Sequence, residues 1–127
     1  MDQETVTSAG PFQVTINSDE VAAFCAAVGF PPGHTGVPLI YPIRMLADRQ
    51  VVSAIEAATS DAVALLHQAQ SFTCHSPLVV NHAYRLDLRL ERFEGRRPRL
   101  SVSGTITAPN NRLIQEFKTT LVMLQRQ

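Results

Sequence analysis

The sequence predicts an α+β domain: an antiparallel sheet of about five strands wrapped around one long central helix. Two observations carry this expectation. The second half of the chain reads as consecutive strands joined by short turns, an order that favours antiparallel neighbours. Ahead of them, Ile43, Leu46, Ala47, Val51, Ala54, Ile55 and Ala58 fall three and four residues apart and make one broad apolar helical face. A chain of 127 residues with 45% hydrophobic and 17% charged residues has the length of one domain and the composition to fill its core.

Taken in order, residues 1–10 are polar and read as a loose tail on a single domain spanning 1–127. Phe12–Ile16 alternates like a short strand. Asn17 or Ser18 can cap the short helix that follows, Asp19 and Glu20 suit its positive end, and Gly29 can close it. Pro31, Pro32, Gly33 and Gly36 exclude regular structure in the next stretch. Pro42 fits a first helical position. From there the periodic run predicts a helix of about 17 residues, roughly 25 Å long.

Val63–His75 reads as a long strand ending at Ser76-Pro77. In the next strand Leu86, Leu88 and Leu90 alternate with Arg85, Asp87, Arg89 and Glu91. Leu100, Val102 and Ile106 do the same against Ser101, Ser103, Thr105 and Thr107. Pro109–Asn111 signals a hairpin, and Leu113, Phe117, Leu121 and Met123 mark the last strand.

Charge and cysteines narrow the function. Formal net charge is +0, which favours neither nucleic acid nor an anionic membrane as a partner. Cys25 and Cys74 are far apart, and no Cys/His spacing suits a metal. The polar, acidic start is unlike a signal peptide, and no apolar run approaches the ~18 residues of a membrane span. A cytoplasmic protein without metal or cofactor is expected.

Three segments carry a likeness. "GVPLIYP" (Gly36–Pro42) precedes the apolar helix, "LLHQAQSFTCHSPLVVNHAYRLDLRLE" spans Leu65–Glu91, and "RLSVSGTITAPNNRLIQEFKTTLVML" spans Arg99–Leu124. In this order they resemble the hot-dog fold and, within it, the MaoC-like (R)-specific enoyl-CoA hydratase/dehydratase family. The second segment is similar to that family's "H-x-x-Q-x-F-x-x-x-x-P-L" strand.

The resemblance implies a hydratase or dehydratase of enoyl/3-hydroxyacyl thioesters, serving fatty acid or polyketide metabolism. An Asp/His pair in a pattern like "S-G-D-x-N-P-x-H" would activate water, and backbone N–H groups at the helix start would polarise the thioester carbonyl. Here the matching stretch is "VGFPPGH". With one residue deleted, Gly29, Pro32 and His34 align, and Phe30 stands in place of the acid. The motif is degenerate: His34 remains as a candidate base, or is a loop histidine on the surface.

By the same resemblance Phe30, Gly36, Val37, Leu39, Ile40, Tyr41 and Arg44 border the acyl-thioester site. Arg96, Arg97 and Arg99 form a basic turn, either solvated or placed to meet a CoA or carrier phosphate. Asp48 and Glu56 lie two turns apart on the expected helix. Asp48 is the candidate acid if the chain is instead an acyl-CoA thioesterase. His67 and Gln70, three apart on a strand, are expected on opposite faces. The expected assembly is a homodimer, or a heterodimer with another hot-dog subunit, with an acyl-carrier protein as a further partner. A non-catalytic subunit that binds acyl chains, or completes a partner's active site, is the alternative.

Overall fold

Five strands form one antiparallel sheet in the order β1-β3-β4-β5-β2 in a computed structural model that describes residues 4–30 and 36–125. The strands are β1 (Glu4–Thr15), β2 (Ala62–Cys74), β3 (Ala83–Phe93), β4 (Arg99–Thr107) and β5 (Leu113–Gln125). Helix α1 (Ser18–Ala27) follows β1. A 3₁₀ helix (Tyr41–Ala47) and helix α2 (Arg49–Ala58) precede β2.

The alternation read in β3 holds: Leu86, Leu88 and Leu90 are buried, whereas Arg85 and Arg89 are exposed. The register sets Leu86 opposite Ile106 and Leu90 opposite Val102, and Phe117 of β5 opposite Gly104. These residues join Val51 and Ile55 of α2, and Tyr41 and Met45 of the 3₁₀ helix, in one core. Helix and sheet thus bury their apolar faces against each other.

Two expectations are corrected. Residues 4–10 are not a tail: β1 begins at Glu4 and pairs with β3 from Glu4–Phe93 to Thr15–Ala83. Its outer half is polar, so hydrophobic alternation could not reveal it. Pairing with β3 holds it, through backbone groups that every residue carries.

The expected single long helix is two. The chain is extended at Asp48 (ψ 136°), and this residue ends the 3₁₀ helix and caps α2. Its carboxylate accepts from the N–H groups of Gln50 (2.9 Å) and Val51 (3.4 Å). A side chain that hydrogen-bonds its own backbone this way competes with helix continuation.

At the other end of α2, Arg92 of β3 holds the turn into β2. Its guanidinium donates to both carboxylate oxygens of Asp61 (2.7 and 2.8 Å), to the Ala58 carbonyl (2.8 Å) and to Glu94. These hydrogen bonds lower the Asp61 carboxyl from 3.8 to about 2. The stabilisation is complete above the unfolded value and is lost as pH falls through the folded one. Asp61→Asn is therefore expected to flatten the fall in stability between about pH 4 and pH 2, read as thermal midpoint against pH. An unchanged slope would contradict this role.

Candidate functional site

The residues expected to surround a thioester fall into two places, and a third polar cluster lies on β2. The first is a cavity of about 260 Å³ lined by Gln13–Ile16 at the end of β1, Glu20 of α1, and Tyr41, Arg44, Met45, Ala47 and Asp48. Local capping sets its walls. Asn17 Oδ1 accepts from the N–H groups of Asp19 (2.8 Å) and Glu20 (3.1 Å), which starts α1 beside the cavity. Tyr41 N–H donates to the Pro38 carbonyl (3.0 Å) as the 3₁₀ helix begins.

Tyr41 is 3% exposed and meets Phe24 edge-to-face at 5.3 Å. Burial raises its phenol above the usual value. The nearby Glu20 carboxylate adds to the shift, and Arg44 opposes it. The hydroxyl therefore stays protonated at neutral pH and can donate. With one cation and two carboxylates around it, this cavity suits a polar group, not an acyl chain. Sequence reasoning found Tyr41, Arg44 and Asp48 but missed Glu20 as their neighbour, having read it only as a helix-start acid.

Asp48 serves as the α2 cap, which accounts for its place in the sequence without chemistry. Asp48→Ala is expected to cost about 1 kcal/mol of stability, measured by urea unfolding, while Asp48→Asn keeps most of the cap. Loss of stability in neither variant would contradict the capping role. Glu56 is exposed on α2 and does not line this cavity.

The second place is the chain on either side of residues 31–35. Val37 is half-buried, and Leu39 and Ile40 are 50% and 39% exposed, two large apolar side chains open to solvent beside the 3₁₀ helix. Gly36 takes a positive φ of 87°, a turn geometry that favours glycine. Phe30 is half-buried, and its N–H donates to the Cys25 carbonyl at 2.9 Å. His34, the candidate base, lies outside the described residues.

The third place was not expected. On β2, His67 Nε2 lies 3.1 Å from Gln70 Oε1 and 3.1 Å from the Ala69 carbonyl. Both partners accept, so Nε2 carries the proton. Thr119 of β5 also donates to Gln70 Oε1, at 2.6 Å. The expectation that His67 and Gln70 face opposite sides is overturned. A register shift between His67 and Ala69 sets His67 opposite Leu121 and Gln70 opposite Thr119, so both join the face of β5 that holds Phe117. An extra residue in one strand reverses a period-two argument beyond it. Gln70 Nε2 and, two rows on, Gln115 Oε1 are buried with no hydrogen-bond partner among the described residues.

β2 is also an open edge. It runs 13 residues with no Asp, Glu, Lys or Arg, and Val63, Leu65 and Leu66 are 58%, 37% and 53% exposed. The other edge, β1, is interrupted by Pro11 and a register shift between Ala9 and Phe12, features that discourage edge pairing. The basic turn stands apart from all three places. Arg96, Arg97 and Arg99 are exposed, and Arg99 lies 5.0 Å over the Phe93 ring. No helix among the described residues is long and apolar enough to cross a membrane.

No protein-family model matches the sequence, and no curated protein matches it. Solved structures do. The C-terminally truncated HadBC (3R-hydroxyacyl-ACP dehydratase) complex of Mycobacterium tuberculosis superposes with a TM-score of 0.66 over 94% of this chain and 96% of that one, at 16% identity. HtdX of the same organism gives 0.70 at 20% identity, and a MaoC-like dehydratase gives 0.68 at 18%. Each of the latter two covers 94% of this chain, which spans only 51% and 41% of their lengths. The strand order and these superpositions agree: the chain has the hot-dog fold.

Proposed function

We propose that the chain is a hot-dog subunit of the hydratase/dehydratase class that binds an enoyl or 3-hydroxyacyl thioester and works as one half of a two-subunit site. The acyl group would arrive on CoA or on carrier-protein phosphopantetheine, with no other cofactor. The observation that carries the reading is β2. A long, exposed, uncharged edge strand is a template for another strand, and native edges are usually blunted. Pairing there with a second hot-dog subunit, a copy or a relative, covers Val63, Leu65 and Leu66. It also closes the face that carries His67, Gln70 and Thr119.

Phe30 decides between a complete catalyst and half of one. Water addition to the enoyl thioester needs a general acid/base pair, and a phenyl ring cannot take a proton. A second copy would carry Phe30 too, so the acid would have to come from a related hot-dog subunit that keeps it, and this chain supplies binding surface: Leu39 and Ile40 for the acyl chain, and the backbone near Gly36–Ile40 for the carbonyl. The thioesterase reading gains no support from Asp48, whose carboxylate is engaged in the α2 cap.

Calorimetric titration with an acyl-pantetheine thioester, together with the molar mass in solution, tests this. The expected result is saturable binding by a species of two subunits. A monomer that binds no thioester would overturn it.

A further inference from the structure

Asp61, Asp87, Glu91 and Glu94 each pair with an arginine. Glu20 and Arg44 do not. They carry opposite charges and line the same cavity of about 260 Å³, yet neither side chain makes an ion pair or hydrogen bond with any described residue. Both are exposed, whereas Tyr41 and Met45 of the same lining are buried. The two charges thus stand at the mouth, over a floor made by the 3₁₀ helix.

Tyr41 is a second, independent observation. It is only 3% exposed, but its hydroxyl has no hydrogen-bond partner among the described residues. The phenol feels the charges of both Glu20 and Arg44, so the hydroxyl lies near both. A buried hydroxyl without a partner calls for one inside the cavity. The packing also holds the two charges in place. The Asn17 cap fixes the first turn of α1, which carries Glu20, and the edge-to-face contact of Phe24 with Tyr41 fixes α1 against the 3₁₀ helix. Asp48 is also in the wall, but its Oδ1 is occupied by the α2 cap, which leaves Glu20 as the acid free to meet a ligand.

The lining asks for a cation at Glu20, an anion at Arg44 and an acceptor for the Tyr41 hydroxyl. Buried Val14, Ile16 and Met45 add apolar wall. A plain carboxylate would leave Glu20 unmatched, and a plain amine would leave Arg44 unmatched. The volume is just below that of a drug-sized site, so the ligand is small. We propose that the cavity between β1, α1 and the 3₁₀ helix binds a small aliphatic α-amino acid, with its carboxylate on Arg44 and the Tyr41 hydroxyl and its ammonium on Glu20. The Arg44 guanidinium can take both carboxylate oxygens. This goes beyond the proposed function and does not rest on thioester binding, because every residue of the site belongs to one subunit.

Calorimetry on the whole chain tests it with three probes: L-valine, valinamide, which lacks the carboxylate, and 2-hydroxy-3-methylbutyrate, which lacks the ammonium. Valine is expected to bind saturably with a dissociation constant of about 1 mM or below, and each of the other two about tenfold more weakly or worse. Arg44→Gln should weaken valine about tenfold and close the gap between valine and valinamide. Glu20→Gln should close the gap between valine and the hydroxy acid instead. Tyr41→Phe keeps the ring against Phe24 and should weaken valine about fivefold with little change in thermal midpoint. No saturation by valine below about 10 mM would overturn the proposal, as would equal binding of valine and either analogue by the wild type. Variants at Glu20 and Arg44 that lower the thermal midpoint but leave valine affinity unchanged would also overturn it, since the two charges would then serve only each other.

Discussion

Gly104→Val is expected to lower the unfolding free energy by about 3 kcal/mol, at the upper end of what overpacking a core usually costs. Gly104 sits on β4 directly opposite Phe117. A Cβ at this position would lie 2.2 Å from two atoms of the Phe117 ring, far inside contact distance. The ring is 3% exposed and packs in the core with Leu88, the β3 partner of Gly104, so it has little room to withdraw. Gly104→Ala should show a smaller loss of the same sign. Chemical denaturation reads both, and a midpoint equal to wild type in the valine variant would contradict this packing. The glycine was visible in the sequence, but only register explains it: a cross-strand aromatic occupies the space where its side chain would be.

Under the proposed β2 pairing, Leu65→Lys/Leu66→Lys is expected to give a folded monomer, weakening association on the order of 100-fold. The two side chains point to opposite faces of β2, so the pair of charges blocks strand pairing on both sides. Both are already exposed in the single subunit, at 37% and 53%, so the fold itself should lose little. Sedimentation shows the molar mass, and circular dichroism shows that the chain remains folded. A variant that sediments like the wild type would place the interface elsewhere. The other edge, β1, with its polar outer half and Pro11, is not expected to respond to similar changes.

Residue patterns revealed the sheet well where one face is apolar and the other polar. Leu86–Leu90 against Arg85–Arg89 left one orientation possible, and β3, β4 and β5 appear within a residue or two of their expected ends. Periodicity failed where a backbone event interrupts it. The apolar spacing from Ile43 to Ala58 is continuous, yet Asp48 breaks the helix because its carboxylate captures the N–H groups of Gln50 and Val51. An Asp ahead of a helical run is a capping signal, and here it was outweighed by the apolar stripe on both sides. The extra residue in β2 left no compositional trace, so His67 and Gln70 were assigned to opposite faces although their side chains touch.

The candidate site was legible in part for a related reason. Tyr41, Arg44 and Asp48 are close in sequence and stay close in space around one cavity. Glu20 reaches the same cavity only through the packing of α1 on the 3₁₀ helix, a non-local contact that spacing along the chain cannot encode. The pairing of Gln70 with Thr119 is of the same kind, set by the register of β2 on β5. The placing of Phe30 where the family has its acid rests on the resemblance of the motif, and the proposed function leans on it more than on any distance in the structure.

The most direct measurement is the initial rate at which the purified chain alone removes the conjugated absorbance of an enoyl-CoA, compared with the rate when a hot-dog subunit carrying both the Asp and the His is added. The account predicts no turnover above background alone, and hydration by the mixed species above that of the added subunit by itself. Full hydration by the chain alone, abolished by His34→Ala, would contradict it and make this protein a complete hydratase despite Phe30.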